Sequence, residues 1–213
     1  GLTYLRNAYD KSEFILSTDP YFRVVNMNTA PDGTLYLVDM YRGIIQEGNW
    51  VREGSYLRGV VKEHGLDKVA GHGRIWRLVH DDFKPGPQPA MHSESAADLV
   101  RHLEHPNGWW RDTAQKLLVL KQDHSVVPAL KAMASGSKDI KSRMHALWTL
   151  EGLGAADAAT VRAAMKDGAA EMRSAAIRVS ETLYKAGDLS FADDYAHLSK
   201  DSDPTVVMQS VLT

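Results

Sequence analysis

The stretch 31–43, PDGTLYLVDMYRG, decides how the first part of this chain folds. Its first three residues form turns readily, and the β-branched and aromatic run Thr34–Val38 predicts a strand. The strand ends in an acid (Asp39), an aromatic and a base (Arg42), followed by Gly43. Two interpretations of this end stay open: a ligand-binding site, or a structural corner in which Asp39 caps the turn and Arg42 forms an ion pair.

Two further strand-like runs lie on either side of this stretch, Tyr21–Met27 and Gly73–Val79. The insertion 44–72 contains Tyr56–Gly65, which predicts a short helix ended by its last glycine. Three short strands do not make a stable all-β domain alone, so residues 1–80 are expected to be part of a larger β structure.

Residues 81–93 separate this β region from the remainder of the chain. The segment 83–89, FKPGPQP, contains three prolines, which remove amide donors and fix φ. Neither a helix nor a central strand accommodates it, so the sequence predicts a linker or a strap here.

Residues 94–213 are helical and repetitive. An Arg-x-x-Ala motif recurs at Arg111, Arg143 and Arg173, with spacings of 32 and 30 residues. The preceding helices align through two sets of apolar positions: Leu99, Ala129 and Val161, then Leu103, Met133 and Met165. Two helices per unit at a period of about 30 predict an α-solenoid of the HEAT class with about four repeats.

Each repeat position has a structural interpretation. The alanine packs where two helices approach closely, and the arginine donates hydrogen bonds inside the turn. The fourth unit begins at Leu189 and places Pro204 in the first turn of its second helix. The chain starts with Gly1 and stops at Thr213 inside a helical pattern, so we expect a fragment whose last repeat is truncated.

Composition excludes several function classes. The 213 residues are 44% hydrophobic and 24% charged with net charge −2, typical of a globular protein without a field that attracts nucleic acid. The absence of cysteine removes disulfides, thiolate nucleophiles and covalent haem attachment. The histidines form no HExxH or other compact ligand pattern, and no apolar run reaches the length of a membrane span. No metal site, catalytic residue or nucleic-acid partner is therefore predicted.

Three motifs in order, PDGTLYLVDMYRG, GHGRIWRLV and HPNGWWRDTAQKLLV, resemble the propeller–HEAT junction of a family of bacterial membrane-bound dehydrogenases. That family is related to the quinoprotein glucose/sorbosone dehydrogenases and often carries a cytochrome c-type haem domain. The resemblance covers roughly residues 15–135. It implies an α+β chain: the C-terminal part of a β-propeller in 1–80, a linker in 81–93, and a HEAT-like solenoid in 94–213.

The resemblance also implies partners, cofactors and a location. The partners would be the rest of a propeller, a haem domain and a protein on the solenoid. This chain is expected to hold no cofactor, whereas pyrroloquinoline quinone with calcium and haem c would belong to other parts of the parent. The parent would be exported to the periplasm or cell envelope, and the isolated chain would be inactive.

The candidate binding residues all lie in the β region. An arginine at a strand end suits an anionic substrate or a quinone carboxylate. The candidates are Asp39, Tyr41, Arg42, His72, Arg74 and Arg77. For Arg74 and Arg77 the structural interpretation is closure of a propeller blade, with the Arg74 guanidinium stacked on Trp76.

In the helical region, Trp109, Trp110 and Arg111 open the first long helix. Adjacent side chains on a helix point about 100° apart, so one indole is expected in the core and the other against the β region or the strap. We expect this group to brace the two regions.

Three functional interpretations are open. The first is part of a sugar or alcohol dehydrogenase whose electrons pass to a haem domain, with the repeats as scaffold. The second is a non-catalytic module that binds protein or polysaccharide through the concave solenoid face and the propeller. The third is that exposed strand edges of the β region pair with another copy. The first requires Asp39 and Arg42 to face one shared pocket.

Overall fold

In the computed structural model, which describes residues 5–45 and 48–213, the chain divides into two compact units after Pro87. The first contains the β-sheet and the second is helical. The α+β class is confirmed, and helix dominates. The division falls inside the proline-rich segment 81–93, where the described backbone has neither strand nor α-helix.

The β unit contains a three-stranded antiparallel sheet in the order β1-β2-β3. Its strands are β1 (Val24–Thr29), β2 (Leu35–Asp39) and β3 (Arg74–Leu78). The PDG turn joins β1 to β2, with Gly33 at a φ of 87° that favours glycine. The first strand begins three residues later than predicted, because the carboxylate of Asp19 accepts the amide of Tyr21 (2.9 Å) and holds a turn there.

The helix predicted at Tyr56–Gly65 is confirmed. It is α1 (Tyr56–His64), and Ser55 caps its start by accepting the Arg58 amide (3.2 Å). Gly65 ends it in the left-handed conformation, with φ at 62°.

The second unit consists of helix pairs joined by short turns. The helices are α2 (Ala96–His102), α3 (Gly108–Lys121), α4 (Val127–Gly136), α5 (Ile140–Gly152), α6 (Ala158–Met165), α7 (Ala170–Lys185), α8 (Ala192–Leu198) and α9 (Pro204–Leu212). Each even-numbered helix packs on the next odd-numbered one, and α3, α5, α7 and α9 contact one another in series. The second helices of the pairs therefore form one layer. Pro204 opens α9, as predicted.

The repeat register needs one correction. Ala129 is exposed and Met133 only partly buried, whereas Leu130 and Ala134 lie in the core. The buried positions are therefore Leu99, Leu130 and Val161, then Leu103, Ala134 and Met165, and each set is spaced by 31 residues. The alignment by residue type was one position early in α4, because alanine and methionine resemble core residues and stand one residue before the buried positions.

The recurrent arginines lock the turns of their own helix pairs. Arg111 donates from Nη1 to the carbonyls of His105 (2.6 Å) and Pro106 (2.8 Å). Arg143 and Arg173 make the same two contacts, to the carbonyls six and five residues earlier. The alanine three residues after each arginine is fully buried, at Ala114, Ala146 and Ala176. The predicted role of the arginines is confirmed, and the alanines lie in the core as expected of small residues between packed helices.

Candidate functional site

The sequence DMYRG (39–43), named here the corner, is organised around the Asp39 carboxylate. Asp39 ends β2 and is only 1% exposed. Its Oδ1 accepts the backbone amides of Arg23 and Tyr41, each at 2.8 Å, and its Oδ2 accepts the indole N–H of Trp76 at 3.0 Å. Both carboxylate oxygens are thus engaged within the protein, and they join β2 and β3 to the chain entering β1.

The charge state of Asp39 depends on these bonds. Burial opposes ionisation, but the hydrogen bond from Trp76 and the amide bonds from Arg23 and Tyr41 outweigh it, with help from the Arg74 charge. The pKa of Asp39 therefore lies below its usual value, and the carboxylate is ionised at neutral pH.

Tyr41 occupies a left-handed conformation, with φ at 46°, which non-glycine residues adopt rarely. Its hydroxyl donates to the Asp19 carboxylate at 2.9 Å, and the Arg74 guanidinium lies 3.5 Å from the centre of its ring. The hydrogen bond to Asp19 raises the pKa of the Tyr41 phenol. These contacts hold the unusual backbone conformation in place.

Arg42 and Gly43 close the corner in different ways. The Arg42 side chain is exposed, and its Nε donates to the carbonyl of Ile44 at 3.2 Å. Gly43 is buried, and a Cβ there would lie 2.7 Å from Cβ of Leu66. The glycine is therefore required by the close approach of the Leu66 backbone. The Gly43 carbonyl accepts from Arg23 Nη2 at 2.8 Å.

Arg74 and His72 lie beside the corner. The Arg74 guanidinium also approaches the Trp76 ring, at 5.6 Å from its centroid, so the expected stacking is present but Tyr41 is the closer partner. Arg74 Nε donates weakly to the His72 carbonyl at 3.4 Å, and the His72 side chain is exposed.

Arg77 does not join this group. It forms an ion pair with Asp32 in the PDG turn and donates to the Thr34 hydroxyl at 3.2 Å. Phe83 lies under its guanidinium at 5.2 Å. The bond from Thr34 lowers the pKa of Asp32, so both groups of the pair are charged at neutral pH. Arg77 therefore stabilises the hairpin turn.

The structure thus brings Asp39, Tyr41 and Arg74 together, with Arg42 and His72 at the rim and Arg77 elsewhere. Sequence analysis missed Asp19 and Arg23, which supply the remaining bonds. The Asp19-Pro20 dipeptide is a turn signal that indicates the first of these, whereas nothing local marks Arg23.

A quinone–calcium pair does not fit these residues. Calcium takes six to eight oxygen ligands, and both oxygens of the Asp39 carboxylate already accept hydrogen bonds. Within residues 5–45 and 48–213, no three histidine or acidic side chains converge as metal ligands would. The nearby cavity of about 310 Å³ is lined mainly by apolar side chains, including Phe22, Leu37 and Trp76.

The two adjacent tryptophans that open α3 differ in burial, and the predicted core position of one indole is found for Trp110. Trp110 is buried, with its indole 5.1 Å from the His102 ring and 5.0 Å from the His105 ring. Trp109 lies partly exposed beside a groove of about 500 Å³, also lined by Met91 and Leu117. The role of this group as a brace between the units stays a prediction.

A second groove of about 500 Å³ runs between α3 and α5 on the layer of second helices. Leu120, 68% exposed, and Trp148 supply apolar surface, and Lys116, Asp112 and Glu151 supply both signs of charge. We call this the α3–α5 groove. No helix of the described ranges has the length and apolarity needed to cross a membrane.

Comparison with known proteins concerns the β unit. Residues 1–82 are similar to a family described as a domain of unknown function (DUF7133), and the matched range includes β1 to β3 and stops before α2. The chain matches no curated protein and no solved structure.

Proposed function

We propose that this chain acts by binding rather than by catalysis. The helical unit would be a HEAT-like solenoid that holds a protein segment, and the β unit would be the C-terminal part of a β-propeller that supports it. The 31-residue period of the buried positions and the repeated arginine locks support the solenoid. The three-stranded antiparallel sheet and the resemblance of its motifs support the propeller.

One observation carries the proposal: the polar groups of the corner are used internally, while the α3–α5 groove offers unused contact surface. Asp39 has both oxygens engaged, whereas Leu120 is 68% exposed within a groove that also contains Trp148. An apolar strip flanked by acids and a lysine suits an extended peptide better than a polyanion.

The dehydrogenase interpretation needs a different arrangement. It requires Asp39 and Arg42 to face one polar pocket, but Asp39 is buried under Trp76 and Arg42 is exposed beside Ile44. If the resemblance extends to activity, the reaction would take place in a propeller region outside this chain, exported to the cell envelope. The repeats would then space that region from a haem domain.

The test of binding uses peptides selected from a displayed random library on the full chain. Leu120→Asp should weaken their binding at least about tenfold, equivalent to about 1.4 kcal/mol. Leu189→Asp is the matched control, because Leu189 is 64% exposed and lies outside the groove. Peptides that bind both variants as well as the wild type would contradict the groove as the binding face.

Calorimetry with pyrroloquinoline quinone and Ca²⁺ tests whether the corner of this chain is a cofactor site. We expect no saturable heat from the chain. Saturable binding that Arg42→Ala abolishes would make the corner a cofactor site and overturn the proposal.

A further inference from the structure

The junctions from α5 to α7 and from α7 to α9 each carry an ion pair between successive helix pairs. Arg143 of α5 reaches Asp167 in the turn before α7, with Nε 3.1 Å from Oδ2 and Nη2 donating to Oδ1 at 3.1 Å. Arg173 of α7 binds Asp201 before α9 in the same two-pronged way, at 2.8 Å from both Nε and Nη2. The four side chains are at most 18% exposed, so solvent screens these pairs little. Each pair therefore fastens the start of a second helix to the turn of the following repeat.

The junction between α3 and α5 has a serine where that carboxylate would lie. Ser137 stands two residues before the N-cap of α5, as Asp167 and Asp201 do before those of α7 and α9. Arg111 of α3 keeps the bonds to its own turn, but no ion pair joins it to an acid in the described part of the chain. Its Nε is buried without a hydrogen-bond partner. Asp139 does not replace the missing acid, since its oxygens cap the start of α5.

The other end of the same junction is closed. A Cβ at Gly152 of α5 would lie 2.5 Å from Cγ2 of Val119, so the two helices approach closely near their C-terminal ends. Midway along them, the His145 ring contacts Gln115 at 2.7 Å. Asp112 lies 3.8 Å from the same ring, but burial lowers the pKa of His145, so the ring is neutral at pH 7 and forms no ion pair. The helices are therefore joined from the middle to the C-terminal end, and their N-terminal ends lack an ionic fastening.

We propose that the junction between α3 and α5 is an adjustable joint, whose turn end opens and closes about the contact between Val119 and Gly152 while the two later junctions stay fixed. In a row of repeats each unit contacts only its neighbours, so the stiffness of a junction is set by its own contacts. The α3–α5 groove lies along the same two helices, and the joint changes its width at the end near Asp112. The joint is a property of the helical unit and does not depend on the proposed binding of a peptide.

Pairs of spin labels on the first helices of the repeats measure the opening. The sequence contains no cysteine, so introduced pairs are labelled selectively in the full chain. Arg101, Ala132 and Ala163 are exposed, are spaced by 31 residues, and lie toward the turn ends of α2, α4 and α6. Electron paramagnetic resonance at pH 7 should give a broader distance distribution for the pair Arg101→Cys/Ala132→Cys than for the pair Ala132→Cys/Ala163→Cys.

Moving the acid from one junction to the other tests the cause of the difference. Ser137→Asp is combined with Glu104→Gln, because Oε1 of Glu104 lies 3.4 Å from the Ser137 hydroxyl and would repel a carboxylate there. This double variant should narrow the first distribution to the width of the second, whereas Glu104→Gln alone should leave it broad. Asp167→Ser should broaden the second distribution to the width of the first.

Circular dichroism establishes that each labelled variant is folded. Equal widths of the two distributions before these substitutions overturn the proposal. A first distribution that stays broad in the folded double variant overturns it too, as does a second distribution that Asp167→Ser leaves narrow.

Discussion

At the scale of the residue, the corner depends on one buried charge. The Asp39 carboxylate binds two backbone amides and an indole from three separate parts of the β unit. A buried acceptor with all its donors in place is more costly to alter than an exposed one, since the abandoned donors lose their partners away from water. The main role of the corner is therefore to stabilise the β unit.

Asp39→Asn should loosen this element. The amide nitrogen of asparagine cannot accept from Trp76, so we expect a loss of about 2 kcal/mol in local stability and about thirtyfold faster hydrogen exchange at the amides of Arg23 and Tyr41. Asp81→Asn, at an exposed position, is the control. Exchange at the wild-type rate in Asp39→Asn would mean that the hydrogen bonds do not hold the corner.

Because of the Lys131–Asp157 ion pair, we expect the free energy of unfolding of the helical unit to depend on pH. The bond from Lys131 (2.5 Å) and the amide of Thr160 lower the pKa of Asp157 to about 2. Because the folded pKa lies below the unfolded value of about 3.9, the ionised form adds stability above that pH and loses it as the pH falls toward 2. Both side chains are partly exposed, so solvent screening limits the contribution to about 0.5 kcal/mol.

Asp157→Asn isolates this charge, because asparagine still caps α6. In urea unfolding at pH 6, the wild type should have a higher free energy of unfolding than Asp157→Asn. This difference should disappear between about pH 4 and pH 2. A difference that stays constant over this range would contradict the assignment.

At the scale of the element, the repeats are held by close packing between second helices. A Cβ at Gly152 of α5 would lie 2.5 Å from Cγ2 of Val119 on α3. The turns are held separately, by Arg111, Arg143 and Arg173 bonded to carbonyls of their own repeats. Arg143 and Arg173 also pair with Asp167 and Asp201 in the turn of the next repeat, so these two arginines hold their own turn and join it to the next one.

Gly152→Ala should destabilise the helical unit. Alanine favours helix by about 1 kcal/mol, but the overlap with Val119 costs about 1–3 kcal/mol, and we expect a net loss of about 1 kcal/mol in urea unfolding. Gly136→Ala is the control, since no atom lies within 4 Å of its added Cβ. Adding Val119→Ala should relieve the overlap, so the double variant should lose less free energy of unfolding than the two single variants lose together. A loss equal to that sum would contradict an overlap between Gly152→Ala and Val119.

At the scale of the whole molecule, the chain is two compact units with different packing. The helical unit has two extended apolar clusters, whereas many apolar side chains of the sheet are exposed, among them Val25, Met27 and Ile75. A small sheet with exposed apolar faces is marginal, so the two units should differ in resistance to unfolding.

Limited chymotrypsin digestion tests this difference. Phe83 lies in the irregular segment between β3 and α2, so cleavage there should release a stable product that begins at Lys84 and contains all of α2–α9. Mass spectrometry identifies the product, and Phe83→Gly should delay its appearance. First cuts within α3, α5 or α7 would contradict a separately stable helical unit.

The sequence by itself determined the elements and their order. The turn residues, the prolines between elements and the Arg-x-x-Ala motif are signals that can be recognised within about 30 residues of sequence. They therefore predicted the three strands, α1, the helix pairs and the hydrogen bonds of the arginines in the turns. The sequence misplaced the core of α4 by one residue, because periodicity marks a helix face less sharply when alanine lies on both sides of it.

Only the tertiary structure decided what the corner is. Asp39 meets Arg23, 16 residues earlier, and Trp76, 37 residues later, and Gly43 meets Leu66 across the insertion. An acid, an aromatic and a base in a row are equally consistent with a binding site and with a buried network. The donors that satisfy the carboxylate come from distant segments, and pairing of the strands is what brings them to it.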